Sequence, residues 1–208
     1  MRYRTLVQIT ASVVVTVFAI GIWLSGDAVK LEWLRFFSAA VLFTTLILNL
    51  GDRWLWHLRI AQRIKFVPRD IRGTWRGTLV SFWEDPETKQ RPDSKTVYLV
   101  VRQTASTVSV RLFSNELKSQ STFGKVQTVD GQARLDYVYV GEPDARVEHR
   151  SRMHRGSTSL DITGLPAARI KGRYWTDRDS RGELDFPERD STVAESYEQA
   201  AALFGPQW

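Results

Sequence analysis

Aromatic and arginine residues are interleaved along the strand-like segments between residues 71 and 190. The aromatic rings offer flat faces on which nucleobases stack, and each stacked base contributes about 1–3 kcal/mol. The guanidinium groups offer paired donors that match phosphate oxygens. Together the two sets indicate binding of a ligand that carries both bases and phosphates. The candidate contact residues are Trp75, Arg76, Trp83, Tyr98, Arg111, Tyr139, Tyr174, Thr176 and Arg178.

The sequence carries no recognisable catalytic signature. It has no cysteine, which excludes disulfides, cysteine-bound zinc and cysteine nucleophiles. The H-E-x-x-H, G-x-S-x-G, Walker A and G-x-G-x-x-G motifs are also missing. Of the histidines, His57 lies in the membrane-proximal segment, and His149 and His154 lie in a charged loop. We therefore expect a binding protein without enzymatic activity, metal or cofactor.

The segment from Gly73 to Trp83 illustrates how alternation assigns residues to faces. Two tryptophans with small residues between them describe a wall with free space beside it, as in a small barrel with an interior site. Large aromatic residues more often only fill a core, and this reading stays open for Trp75. Alternation does not identify the inner face of a strand where both faces carry Tyr or Arg. The proposed wall face carries Trp75, Gly77, Leu79, Ser81 and Trp83.

About eight strand-like segments follow one another between residues 71 and 190. No helical crossover separates them, so antiparallel pairing is expected. The Asp130-Gly131 pair predicts a two-residue hairpin turn. We expect a compact antiparallel β-barrel, because closure removes both edge strands and eight strands enclose either side chains or one small ligand. A β-sandwich is the alternative architecture.

Two long uncharged stretches precede the strands. Leu6 to Leu24 approaches the length needed to span a hydrocarbon core of about 30 Å. A signal peptide is the competing interpretation, but no small-residue cleavage site follows. Phe36 to Leu50 reaches span length when residues 31–35 are added. We therefore expect residues 1–52 to form a transmembrane hairpin of two helices.

Helical segments are also predicted on both sides of the strand-rich domain. Residues 53–70 form a basic, aromatic helix and linker that either lies on anionic headgroups or continues the anchor into water. Residues 191–208 form an amphipathic helix and tail, with Ser191 or Thr192 as the N-cap.

The distribution of charge predicts orientation. The formal net charge is +6. Unopposed positive residues flank the two uncharged stretches, whereas Lys30 and Arg35 in the connection are offset by Asp27 and Glu32. The positive-inside rule therefore places both termini and the strand-rich domain in the cytosol. The flanking positive residues are Arg2, Arg4, Arg53, Arg59, Arg63 and Lys65.

The complete layout resembles the two-transmembrane β-barrel effectors of CBASS, the bacterial cyclic-oligonucleotide-based antiphage signalling system. Its local carriers are the motif Gly73-Thr74-Trp75-Arg76-Gly77 and the segment from Ile170 to Arg178 followed by Gly182. The resemblance implies that a partner nucleotidyltransferase makes a cyclic dinucleotide and that the barrel binds it. It also implies oligomerisation and disruption of the bacterial inner membrane, ending in abortive infection.

The partners implied are therefore a cyclic dinucleotide, the lipid bilayer and further copies of the chain, but no DNA or RNA polymer. Two other functions remain as alternatives at this point. One is a membrane-tethered barrel that binds lipid or fatty acid. The other is a non-enzymatic scaffold whose barrel is filled and docks another protein.

Overall fold

The computed structural model describes residues 3–25, 31–64, 67–147 and 152–205. The chain divides into two compact units. The first comprises Met1–Leu58 with Thr104–Ser106, and the second comprises Arg59–Gln103 with Thr107–Trp208.

The first unit contains helices α1 (Tyr3–Ser25) and α2 (Leu31–Leu50). Phe18 and Phe37 connect them through an edge-to-face ring contact with centroids 5.2 Å apart. The two predicted helices are therefore present at the expected positions. Within the described ranges, however, no helix combines the length and the apolar character needed to cross a membrane. The transmembrane part of the prediction is not supported.

Within the predicted helix and linker of residues 53–70, the described residues do not form one continuous helix. A π-helical turn at Gly51–Leu55 and a 3-10 turn at Ala61–Arg63 replace it, and the backbone at Ile64 is already extended. The side chain of Gln62 explains the change of direction. Its amide donates to the carbonyl oxygen of Pro68 at 3.0 Å, and its oxygen accepts from the backbone N–H of Asp70 at 2.9 Å.

The second unit is a closed eight-stranded antiparallel barrel in which each strand pairs with the next and the last pairs with the first. This confirms the predicted barrel and excludes the sandwich. The hairpin turn between the fourth and fifth strands is also confirmed, since Asp130 and Gly131 both have positive φ, at 50° and 84°. The strands are β1 (Gly73–Ser81), β2 (Lys95–Gln103), β3 (Val108–Phe113), β4 (Leu117–Val129), β5 (Gln132–Pro143), β6 (His154–Thr163), β7 (Arg169–Thr176) and β8 (Arg181–Asp190).

The two ends of the barrel differ. At the end where β1 begins and β8 finishes, fully buried side chains fill the interior. At the opposite end, where β1 finishes and β8 begins, the interior is open. An eight-stranded barrel is just wide enough for either outcome, so side-chain size decides it locally. The filled end contains Ile71, Trp75, Leu99, Ile170 and Phe186.

A short C-terminal helix, α3 (Tyr197–Leu203), packs on the outer face of β2. Its N-cap is Ser196, whose hydroxyl accepts from the backbone N–H of Gln199 at 3.2 Å. The predicted caps Ser191 and Thr192 are wrong for a specific reason. The Thr74 hydroxyl donates to the carbonyl of Thr192 and accepts the N–H of Ala194. These bonds hold the chain on the barrel and delay the start of the helix.

Candidate ligand-binding cavity

The open end of the barrel contains a cavity of about 460 Å³. Small-molecule sites in proteins usually occupy about 300–1,000 Å³. All eight strands contribute to its wall, together with the loops that join them at this end. The cavity is therefore large enough for a small-molecule ligand.

The floor of the cavity is a row of leucines. Leu79 on β1 pairs with Leu184 on β8, and both line the cavity. The same row continues around the barrel through Gly172 to Leu160 and Leu135, which are fully buried and lie beneath the lining of the cavity. A ligand atom that reaches this depth meets an apolar surface.

Directly above the floor lies a row that combines aromatic rings with a hydroxyl. Thr158 on β6 pairs with Tyr137 on one side and Tyr174 on the other. All three residues line the cavity and are buried. This row adds polar atoms and ring faces to an otherwise apolar lower half.

Three aromatic rings lie over glycines on the neighbouring strand. Tyr139 lies over Gly156, and a Cβ at residue 156 would come within 2.4 Å of the Tyr139 hydroxyl oxygen. The Tyr174 ring takes the same position over Gly182 at 2.7 Å. His154 forms the third pair, with Gly141. Because glycine has no side chain, each ring rests against the wall and the centre of the barrel stays open.

Burial sets the protonation of these groups. Desolvation raises the pKa of Tyr137 to about 12 and raises that of Tyr139 further. Burial also lowers the pKa of His154 below its ordinary value. At neutral pH both phenols are therefore protonated and the imidazole is neutral. The Nδ1 atom of His154 is 3.2 Å from the carbonyl oxygen of Arg152. Nε2 lies on the opposite edge of the ring and takes no part in that contact.

Charged side chains occur at the mouth of the cavity. Lys95 Nζ forms an ion pair with Glu116 at 2.6 Å. Arg178 lies in the turn between β7 and β8, and its backbone N–H donates to the hydroxyl of Thr176 at 3.2 Å. The same hydroxyl accepts from the N–H of Ser180, so Thr176 organises the turn that carries Arg178. The mouth therefore combines cations for phosphate groups with a neutral, aromatic interior.

Comparison with known proteins bears directly on this barrel. The family model described as Cap15, cyclic dinucleotide receptor domain, matches residues 66–188. The chain belongs to this family. It is also 29% identical over 183 residues to CD-NTase-associated protein 15 of Staphylococcus schleiferi, covering 88% of this chain and 95% of that protein. The resemblance to the β-barrel effectors of CBASS is thereby confirmed.

The matched region includes all of the Cap15-type barrel except the last two residues of β8. Five of the nine residues predicted from the sequence line its cavity. They come from the segment just after β1, from the mouth end of β7 and the turn that follows it, and from β5. These residues are Trp83, Tyr139, Tyr174, Thr176 and Arg178.

The other four predicted residues lie elsewhere. Trp75 is at the filled end, where its indole N–H donates to the carbonyl of Ile71 at 2.9 Å and the Arg189 guanidinium lies 5.3 Å from its ring. Arg111 is outside the barrel, with its Nε donating to Gln120 at 2.9 Å. These positions exclude direct contact with a ligand in the cavity.

Arg76 and Tyr98 also lie on the outer surface, where both support α3. The Arg76 guanidinium pairs with Glu188 and lies 5.2 Å from the ring of Phe204. Tyr98 packs between Tyr197 and Phe204, with ring centroids 5.4 and 6.0 Å away. Both residues alternate with the inward-facing side chains of their strands, which explains their position.

Sequence reasoning missed His154, Thr158 and Lys95. His154 was assigned to a loop, but β6 begins at this residue. The alternation of His154, Gly156, Thr158 and Leu160 is the signal that would have extended the strand. The described part of the chain contains no cluster of three acidic or histidine ligands that could hold a metal ion.

Proposed function

We propose that the cavity binds a cyclic dinucleotide and that this Cap15-family chain is the effector that responds to it in a CBASS system. The observation that carries the proposal is the set of three rings that rest on glycines around an open lumen, within the domain that the receptor family matches. A partner nucleotidyltransferase supplies the ligand. The named relative is itself described as associated with such an enzyme.

The chemistry of the wall suits both parts of such a ligand. The faces of Tyr139, Tyr174 and Trp83 provide stacking surfaces for bases. Arg178 and Lys95 at the mouth provide cations for the phosphates. A filled barrel, as expected for a simple scaffold, would offer neither. The chain contributes binding and no catalytic step to this function.

Binding is coupled to assembly and to the membrane in this proposal. A ligand shifts an equilibrium only when it binds one state better than the other. We therefore infer that the ligand-bound barrel favours an oligomer of the chain. The uncharged stretches Leu6 to Leu24 and Phe36 to Leu50, with their basic flanks, support an inner-membrane protein with cytosolic termini. Assembly there would disrupt the membrane and end the infection by stopping the cell.

Thermal unfolding of the full chain in mild detergent with a panel of cyclic dinucleotides tests the receptor function. A ligand at 100 times its dissociation constant should stabilise the fold by about 2.7 kcal/mol. Linear dinucleotides and long-chain fatty acids serve as controls. Stabilisation by a fatty acid alone would favour the lipid-binding alternative, and no stabilisation by any cyclic dinucleotide would overturn the proposal.

The effector function needs a separate measurement. The full chain is reconstituted in liposomes of bacterial lipids that contain a self-quenched dye. Adding the stabilising ligand should release the dye and should shift the chain to a larger species in cross-linking. Ligand binding without dye release or cross-linking would support the receptor function and contradict the proposed membrane function.

A further inference from the structure

The hydroxyl group of Thr158 is buried without a hydrogen-bond partner among the described residues. The residue is 1% exposed, and its Oγ1 is inaccessible to solvent. The Thr158 hydroxyl is near enough to Tyr137 to lower the pKa of that phenol against the larger effect of desolvation. The two hydroxyls nevertheless do not form a hydrogen bond of normal length and angle. Leaving a buried polar group unsatisfied destabilises the folded state. Such a group inside a cavity needs an explanation.

Other polar side chains in this region are satisfied within the protein. On the outer face of β6, the Ser159 hydroxyl donates to Asp136 at 2.6 Å. At the mouth, the Thr176 hydroxyl accepts two backbone N–H groups. Thr158 differs from both because its hydroxyl lies inside, at the lowest polar level above the leucine floor. The protein supplies no partner for it in this arrangement, and because solvent does not reach the oxygen, a ligand atom in the cavity becomes its partner only when a neighbouring side chain such as Tyr137 shifts.

The surroundings of Thr158 define the shape of that partner. Tyr137 and Tyr174 flank it on the neighbouring strands, and Leu160 lies two residues further along its own strand, in the floor row. The floor is apolar, the sides are aromatic, and one wall carries a hydroxyl that can both donate and accept a hydrogen bond. These surroundings suit a flat ring that has a polar edge. A phosphate does not suit this position, because the cations are at the mouth.

We propose that Thr158, assisted by Tyr137, recognises the polar edge of one base at the bottom of the cavity. The ligand then enters with one base inward, while its phosphates remain at the mouth near Arg178 and Lys95. The second base stays close to Trp83. This inference rests on the proposed function and adds that the two bases of the ligand occupy unequal positions. Thr158 is therefore a specificity-determining residue for the inner base.

The decisive variant is Thr158→Val, which replaces the hydroxyl with a methyl group of similar size. Without ligand, the unfolding midpoint of the full chain should stay equal or rise, because an unsatisfied hydroxyl is removed. Affinity for the best cyclic dinucleotide, measured by calorimetry, should fall roughly three- to tenfold, as expected for one lost hydrogen bond. The variant should therefore lose ligand affinity without losing stability. If Thr158 had a purely structural role, a loss of affinity would be accompanied by a loss of stability.

Base selectivity provides a second measurement. The affinity ratio between cyclic dinucleotides that differ in one base should move toward unity in Thr158→Val. The matched control Thr158→Ser keeps the hydroxyl and should retain most of the affinity and the ratio. Tyr137→Phe removes the neighbouring hydroxyl and should also reduce the ratio, which preserves the test if the valine variant does not fold.

The possible failures are distinguishable. If the wild-type chain binds no cyclic dinucleotide, the proposed function is wrong. If the wild type binds but Thr158→Val has unchanged affinity and unchanged base selectivity, the inner-base inference is overturned. The same conclusion follows if the valine variant is unfolded and Tyr137→Phe has the affinity and base selectivity of the wild type.

Discussion

The imidazole of His154 lies directly over Gly141 on the neighbouring strand. A Cβ at residue 141 would come 2.7 Å from Cε1 and 2.8 Å from Nε2 of the ring. The three nearest atoms to that Cβ all belong to this ring, and none belongs to the backbone. Gly141→Ala should therefore push the ring into the cavity and leave the strand in place. We expect ligand affinity to fall roughly tenfold, because a stacking surface worth about 1–3 kcal/mol is displaced.

A double-mutant cycle provides the control for this change. In a His154→Ala background, Gly141→Ala has no ring to displace, so its effect on affinity should largely disappear. Calorimetry on the four chains gives the coupling directly. Additive effects of the two substitutions would contradict the steric explanation.

Arg178 and Arg111 form a matched pair for the role of charge. Arg178 lines the mouth of the cavity, whereas Arg111 is bonded to Gln120 on the outer surface. Arg178→Gln should weaken ligand binding about tenfold, the effect expected when a charged donor to a phosphate is lost. It should also reduce the dependence of affinity on salt. The measurement is the dissociation constant at two salt concentrations, and Arg111→Gln should match wild type in both.

Tyr98 should matter for stability but not for recognition. It is 2% exposed beneath Tyr197 and Phe204, outside the barrel. Tyr98→Ala should lower the free energy of unfolding by about 3 kcal/mol, since a large buried ring is removed. Denaturant unfolding measures this loss, and Tyr98→Phe should show a smaller one. A loss of ligand affinity by folded Tyr98→Ala would place a ligand contact beneath α3 instead.

Acidification should destabilise the barrel through His154. Burial is the main cause that lowers its pKa, and the hydrogen bond to the Arg152 carbonyl opposes it. Nearby Arg178 also lowers the pKa, and Asp177 raises it. As the pH falls below about 6.5, His154 takes up a proton in the unfolded chain before it does so in the folded one. The free energy of unfolding should therefore decrease below that pH. His154→Gln should show a shallower decrease in denaturant unfolding between pH 7 and 5, and parallel curves would refute this assignment.

The candidate site was predictable where strand alternation had only one reading. On β7, Tyr174 and Thr176 share a face with Ile170. Lys171 and Arg173 lie on the opposite face, so the inward face of β7 followed from the pattern. On β2, Tyr98 alternates with Val97 and Leu99, and both faces are buried. The sequence does not distinguish a face buried by the barrel from a face buried by α3. That ambiguity explains why Tyr98 was selected.

By itself, the sequence determined the number and order of the strands and the Asp130-Gly131 turn. It also determined the combination of aromatic and cationic groups that a nucleotide ligand requires. These features follow from local periodicity and side-chain chemistry. Only the tertiary structure decided which end of the barrel is filled and which is open. The physical reason is that the register of strand pairing places Gly141, Gly156 and Gly182 beside rings on the neighbouring strand, and their missing side chains leave the space open.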